Sequence, residues 1–171
     1  MKNSKVSINV VSSFNHSNFI GLLNNNDDFQ WQVNDTNYNQ IFQILNDKKA
    51  NIWKKKSDAS LIWSTPESIS PEFKKLLNHE KVNKNLIKKD IDFFFDCLRL
   101  IKKNTDIILI PNWILREPNE SSVALSFTKN LGIEYHLSYM NYYLSELINK
   151  EKNFYLLNST KWLTNCGSTT A

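Results

Sequence analysis

Glycine is scarce in this 171-residue chain: only Gly21, Gly132 and Gly167 occur. Three isolated glycines cannot spell GxGxxG or GxxxxGK[ST], so the dinucleotide fingerprint and the phosphate-cradling P-loop are excluded. GxSxG is absent too, and with it the nucleophile elbow of most lipases. Cysteine is rarer still. Cys97 and Cys166 stand far apart, without Cys-x-x-Cys or Cys/His spacing, so neither a zinc centre nor a disulfide framework is expected. Of 21 basic residues only Arg99 and Arg116 are arginine. Bidentate recognition of phosphate and guanine relies on the guanidinium fork, so no nucleic-acid partner is expected. No apolar run reaches the roughly 18 residues of a membrane span. The start, Met1-Lys2-Asn3, leads into a short apolar run without a cleavage-like site, which reads as a strand and not a signal peptide. A cytoplasmic chain without a membrane partner is the expectation, and its four Asn-x-Ser/Thr sequons then carry no meaning.

What is present suffices for a core. Hydrophobic residues make up 41% and aromatics 12% of the chain. A chain of this length buries roughly 70% of its unfolded surface and needs no covalent staple, so residues 1–171 read as one domain. The lysines fall in clusters (Lys48-Lys49, Lys54-Lys55-Lys56, Lys74-Lys75, Lys88-Lys89, Lys102-Lys103) beside helical apolar stripes. Such runs are ordinarily solvated helix faces, not polyanion sites. The 24 asparagines, with abundant lysine and isoleucine, match the drift of an AT-rich coding sequence.

Along the chain, short apolar strands alternate with helical stripes. Val6–Val11 is a β-branched run stopped by Ser12-Ser13, and Phe29–Val33 alternates as an edge strand does. Ala59–Trp63, Ile107–Ile110 and Phe154–Leu157 complete five strands. Helical spacing joins Phe19, Leu22 and Leu23, then Tyr38, Ile41, Phe42 and Leu45. A long helical region is expected from Pro71 to Lys103, with Ile87, Ile91, Phe94, Leu98 and Ile101 buried. Leu137, Met140, Leu144 and Leu147 mark a further helix, and Trp162–Cys166 a last turn closed by Gly167. This order predicts an α/β fold: a doubly wound, five-stranded parallel sheet with helices on both faces, a three-layer sandwich.

Ligands of such sheets bind beyond the carboxyl ends of the strands, near the point where strand order reverses. The residues there include Ser12, Ser13, Asn15, Asn34, Asp35, Ser64, Thr65, Glu67, Asn112 and Asn158, and most are polar without charge. Ser12 and Ser13 are placed to be nucleophiles, but a serine needs a base and oxyanion donors. His16 is too near in sequence to be positioned easily, His79 falls between helical stretches and His136 opens a helix. The alternative role for both serines is turn and helix cap. Asp90-Ile91-Asp92 spells the D-x-D of phosphoaspartate enzymes inside a helical stripe, not at a strand end, and reads as a solvated helix edge. The acidic pairs Asp27-Asp28 and Glu117/Glu120 lack histidines at ligand spacing, so no metal is expected, and no cofactor motif is present. Trp31, Trp53, Trp63 and Trp113 read as core, with Trp63 and Trp113 placed to line a pocket.

Several segments together resemble the N-terminal domain of FkbH-like proteins: Val10–Asn15 (VVSSFN), Tyr38–Leu45 (YNQIFQIL), Asp58–Glu67 (DASLIWSTPE), Asp106–Asn112 (DIILIPN) and Phe154–Gly167 (FYLLNSTKWLTNCG). The resemblance implies an SGNH-hydrolase-like, flavodoxin-like fold. In that family the domain precedes a haloacid-dehalogenase-type domain that loads a glyceryl unit onto an acyl carrier protein, and this chain would stop where that domain begins. The transfer chemistry is then not carried by these residues. Set against the hydrolase signature, Ser13 falls at or beside the nucleophile, Asn39 near the second-block glycine, and Pro66 where an asparagine donor belongs. The final D-x-x-H block has no counterpart. The resemblance thus implies a degenerate hydrolase site whose rim (Ser12, Ser13, Asn39, Gln40, Thr65, Asn112) binds a carrier protein, a substrate arm or a companion catalytic domain. The alternative is a small esterase or acyltransferase using Ser13, with His136 or His16 as base.

Overall fold

The computed structural model describes residues 5–26, 30–115 and 124–162. Five strands, β1 (Lys5–Ser12), β2 (Gln30–Asp35), β3 (Ser57–Trp63), β4 (Thr105–Pro111) and β5 (Phe154–Leu157), form one sheet in the order β2-β1-β3-β4-β5. β1 pairs in parallel with β2 and β3, and β3 with β4. The Ile108 amide donates to Asn153 and the Asn112 amide to Leu157, an equal advance that makes β5 parallel as well. The fold is α/β, with the strand order of flavodoxin-like proteins. Strand order reverses at β1, so right-handed crossovers put α1 (Ser17–Asn24) and α2 (Ile41–Asn46) on opposite faces.

Burial follows from position in the sheet. Ile8 to Ser12 are buried in succession, as are Ala59 to Ile62, because central parallel strands are covered on both faces. Edge strand β2 holds Trp31 to Asn34 only half-buried, and β5, the other edge, is four residues long.

By compactness the chain divides into two units. The first is Met1–Ser64, Asp96–Ile110 and Asn153–Tyr155; the second is Thr65–Phe95, Pro111–Lys152 and Leu156–Ala171. The first holds most of the sheet with α1 and α2. Trp53 anchors the turn after α2, donating its indole N–H to the Ile44 carbonyl at 2.9 Å. The second unit is mainly helical: α3 (Pro66–Ile69), α4 (Pro71–Leu77), the first part of α5 (Lys84–Ile101), and α6 (Ile133–Ile148). Its core includes Phe73, Ile87, Ile91, Phe94, Met140 and Leu144. The Tyr143 hydroxyl donates to Asp92 at 2.5 Å, and Lys84 stands 3.8 Å from the Tyr139 ring centre.

The helix expected from Pro71 to Lys103 is broken between α4 and α5. His79 turns the chain at φ 60°, its amide donating to Leu76 while that of Glu80 donates to Lys75. This is a Schellman C-cap with histidine where glycine is usual, so the sequence shows no stop signal. The buried stripe of α6 is Ile133, His136, Met140, Leu144 and Ile148, which leaves Leu137 and Leu147 half-buried. Tyr38 lies before α2 and is exposed, and no residue of α1 is fully buried. Asp27-Asp28, Phe29, Glu117, Glu120, Cys166 and Gly167 lie outside the described residues. No helix among the described residues is long and apolar enough to cross a membrane.

Candidate functional site

In the first unit, the carboxyl end of β1 brings four of the expected residues into one neighbourhood. Ser12 closes the strand beside Trp63 and is fully buried, its Oγ accepting the Phe14 amide at 3.1 Å. That closes a tight local turn, the capping role open to a short hydroxyl side chain. Ser13, half-buried, donates its backbone N–H to the Trp63 carbonyl at 3.1 Å. Asn39 donates its own N–H to the Ser12 carbonyl, also at 3.1 Å. It does so from φ 64°, in the left-handed region that asparagine tolerates better than most residues. Gln40 follows as the exposed N-cap of α2. It lines a cavity of about 500 Å³ with Asp35, Thr36, Asn37, Asp47 and Lys49.

His16 is the histidine of this region. Its side chain is buried, with Nδ1 3.1 Å from the Phe14 carbonyl and Nε2 3.7 Å from an Asp35 carboxylate oxygen. Nδ1 is thus within hydrogen-bond distance of a backbone oxygen, while Nε2 faces the Asp35 carboxylate without a hydrogen bond. Asn15 accepts the Ser17 amide at 3.0 Å and hydroxyl at 2.8 Å, holding the start of α1. Trp63 is packed edge-on by Phe14 and Phe19, with centroids 5.1 and 5.4 Å away.

Thr65 and Asn112 belong to the second unit. Thr65 is the buried N-cap residue of α3, and its carbonyl accepts both the Ser68 hydroxyl and amide. Asn112 ties the end of β4 to the residues after β5: its Oδ1 accepts the Ser159 amide at 2.6 Å and its carbonyl the Ser159 hydroxyl at 2.9 Å. Beside it a second cavity of about 500 Å³ is lined by Asn141, Tyr142, Ser145, Leu157, Asn158 and Thr160. Trp113 is buried, and the Asn141 side chain binds both its amide and its carbonyl at 2.8 Å.

His136 is buried in α6 with Nε2 2.9 Å from the Lys129 carbonyl, and burial lowers its pKa. His79 is exposed and follows Asn78, the C-cap residue of α4. Asp90 and Asp92 lie within α5, accepting from Ser70 and Tyr143 respectively, and are thus helix-edge acceptors. Among the described residues no three His, Cys, Asp or Glu side chains gather as metal ligands. Sequence reasoning missed that backbone donors at this rim close onto neighbouring carbonyls. It also missed Asn141, whose hold on Trp113 leaves no periodic signal.

A parallel sheet in this order, with a strand-end rim of hydroxyls and amides, defines a doubly wound α/β domain of the flavodoxin-like class. A model of the FkbH N-terminal domain matches residues 13–171, and the chain belongs to that family. Its fold is shared by a solved structure described as the N-terminal part of the protein BF1531 from Bacteroides fragilis, containing a phosphatase domain complexed with Mg. The TM-score is 0.72 at 15% identity, over 96% of this chain and 43% of that one. This chain thus spans less than half the length of that structure. No curated protein matches the chain.

Proposed function

We propose that this domain is a degenerate SGNH-like module that binds instead of hydrolysing, receiving a carrier protein, a substrate arm or a companion catalytic domain at its strand-end rim. One observation carries the reading. The amides best placed to hold an oxyanion, those of Ser13 and Asn39, already donate to the Trp63 and Ser12 carbonyls. A tetrahedral intermediate needs such donors directed at its oxygen, and each one lost costs roughly 10²–10³ in rate. Pro66, at the third expected donor position, has no N–H at all. The His16 ring is directed at the Phe14 carbonyl and the Asp35 carboxylate.

The partner is proposed on the family's architecture. The BF1531 structure is described as containing a phosphatase domain, and this chain covers 43% of it, so a domain of that kind is the first candidate to be received. The biosynthetic role and cytoplasmic setting belong to the same proposal.

A fluorophosphonate probe tests the chemistry: no labelling of Ser13 is expected. Labelling that Ser13→Ala abolishes would instead support the esterase reading. Calorimetric titration with an acyl carrier protein, a separate phosphatase-type domain and phosphoglycerate tests the binding. Heat with at least one of the three is expected, and silence from all three overturns the proposal.

A further inference from the structure

In the first unit, two of the lysine clusters stand in turns and not on helix faces. Lys54, Lys55 and Lys56 lead directly into β3, and Lys102 and Lys103 belong to the short 3₁₀ turn (Lys102–Asn104) that precedes β4. Lys5 opens β1. β1, β3 and β4 are parallel neighbours, so their starts stand side by side, about 10 Å across the three. Carrying the Ile8–Ala59 pairing back three residues sets Lys5 level with Lys56. The Asn104 side chain donates to the Trp53 carbonyl at 2.9 Å, which ties the two lysine-bearing turns together. Clusters distant in sequence thus meet at one end of the sheet, and all six lysines are exposed.

Asp58 and Asp106 are the carboxylates at these strand starts. Asp58 accepts the Ser7 amide and hydroxyl, both at 2.7 Å, and Asp106 pairs with Lys56. Six lysines against two aspartates leave +4, which is the formal net charge of the whole chain. The remainder of the molecule is neutral in sum, so the positive charge is gathered on this face and attracts anions to it. We propose that the amino end of the sheet is a docking face for an acidic protein surface.

The chemistry of the face favours a protein over other polyanions. None of the six cations is arginine, whose planar fork is the better match to phosphate. Ile52 and Trp53, the large apolar residues beside Lys54, are buried, so that turn offers no ring for a base to stack on and no apolar tip for a bilayer. Asp58 and Asp106 would repel a uniformly negative phosphate backbone or lipid surface, whereas a protein surface can set a lysine or an amide opposite them. The face lies at the opposite end of β1 from Ser12 and Ser13, so this inference is independent of the reading of the strand-end rim.

Titration of the full chain with poly-L-glutamate, oligouridylate and phosphatidylserine vesicles, compared at equal charge concentration and low salt, tests it. Poly-L-glutamate should bind most tightly. The combined Lys54→Glu, Lys55→Glu and Lys103→Glu variant should weaken that binding by about tenfold or more. Lys74→Glu, Lys81→Glu and Lys89→Glu, which change the net charge equally but lie in the second unit, should alter it by no more than about twofold. Lys54, Lys55 and Lys103 replaced together by glutamine should keep the native circular dichroism spectrum and lose part of the affinity. Absence of poly-L-glutamate binding overturns the proposal, as does an equal loss in the two glutamate triples. Tighter binding of oligouridylate or of the vesicles overturns it too, and assigns the face to nucleic acid or to lipid.

Discussion

Asn34 donates its side-chain amide to Asn9 Oδ1 at 3.0 Å from the directly adjacent position on the neighbouring parallel strand. Asn9 in turn donates Nδ2 to the Ile52 carbonyl at 3.1 Å, and it is fully buried in an otherwise apolar stretch of β1. A buried amide is tolerated there because its bonds are made, and those bonds pin edge strand β2 and the turn after α2 to the central strand. Asn9→Leu keeps the branched shape at a larger volume and removes the bonds, leaving a buried carbonyl and an amide without their partner. It should cost about 2–4 kcal/mol, read from the urea unfolding midpoint.

Ser70 caps α4 by accepting the Phe73 amide at 3.0 Å and donates to Asp90 on α5 at 2.6 Å. One hydroxyl thus joins two helices of the second unit. Ser70→Ala should lower stability by about 2 kcal/mol, more than a cap alone, while Ser70→Thr retains part of it. Thermal unfolding monitored by circular dichroism measures the difference.

Asn39 holds φ 64° and gives its N–H to Ser12. Asn39→Gly should be within about 0.5 kcal/mol of wild type, since glycine adopts this backbone without strain. Asn39→Val should cost about 1–3 kcal/mol, because a β-branched side chain is disfavoured there. Equal stabilities for the two variants would refute the role assigned to this backbone turn.

Burial pushes the His136 pKa below its ordinary value, and Nδ1 has no hydrogen-bond partner. The unfolded chain therefore takes up a proton near pH 6.5 while the native chain does not. More protons bound to the unfolded state means that stability falls as pH drops below about 6.5, levelling only beneath the native pKa. Above that pH the residue contributes no slope. His136→Gln should flatten this part of the stability–pH curve in urea titrations. Asp58 and Glu72 act in a separate, lower window. Hydrogen bonds from Ser7 hold Asp58 below its usual value, and those from Lys75 and the Asn83 amide hold Glu72 down. Their stabilisation is present above about pH 4 and is lost as pH falls through their native values.

Gly132 precedes α6 with its Cα packed against the Thr128 and Ser126 carbonyls. A methyl group there would overlap backbone oxygen, and backbone cannot yield as a side-chain tip can. Gly132→Ala should therefore be among the most damaging single changes, by several kcal/mol, observable as loss of cooperative unfolding.

The strands were legible because buried parallel strands must be apolar on both faces. Val6–Val11, Ala59–Trp63 and Ile107–Ile110 are mostly apolar for that reason, interrupted only by Ser7, Asn9 and Ser60, and each lies inside an observed strand. The break between α4 and α5 was not legible, because His79 occupies the left-handed position where glycine would have marked the end of a helix. Asn39 and Asn153 do the same elsewhere. Among the described residues no glycine has a positive φ, so the glycine-poor chain makes these turns with asparagine and histidine.

Composition and periodicity alone determined that this is a parallel α/β protein without a dinucleotide fingerprint or P-loop, with Ser12 and Ser13 at the end of its first strand. Those properties are local: they depend on which residues are apolar, which are absent, and where a run stops. Only the tertiary structure decided where the donors and acceptors at that strand end point. The Ser13 amide meets Trp63 and the Asn39 amide meets Ser12 because strands and loops distant in sequence converge there. A hydrogen bond between residues tens of positions apart leaves no period in the sequence, and the chemistry of the rim rests on such bonds.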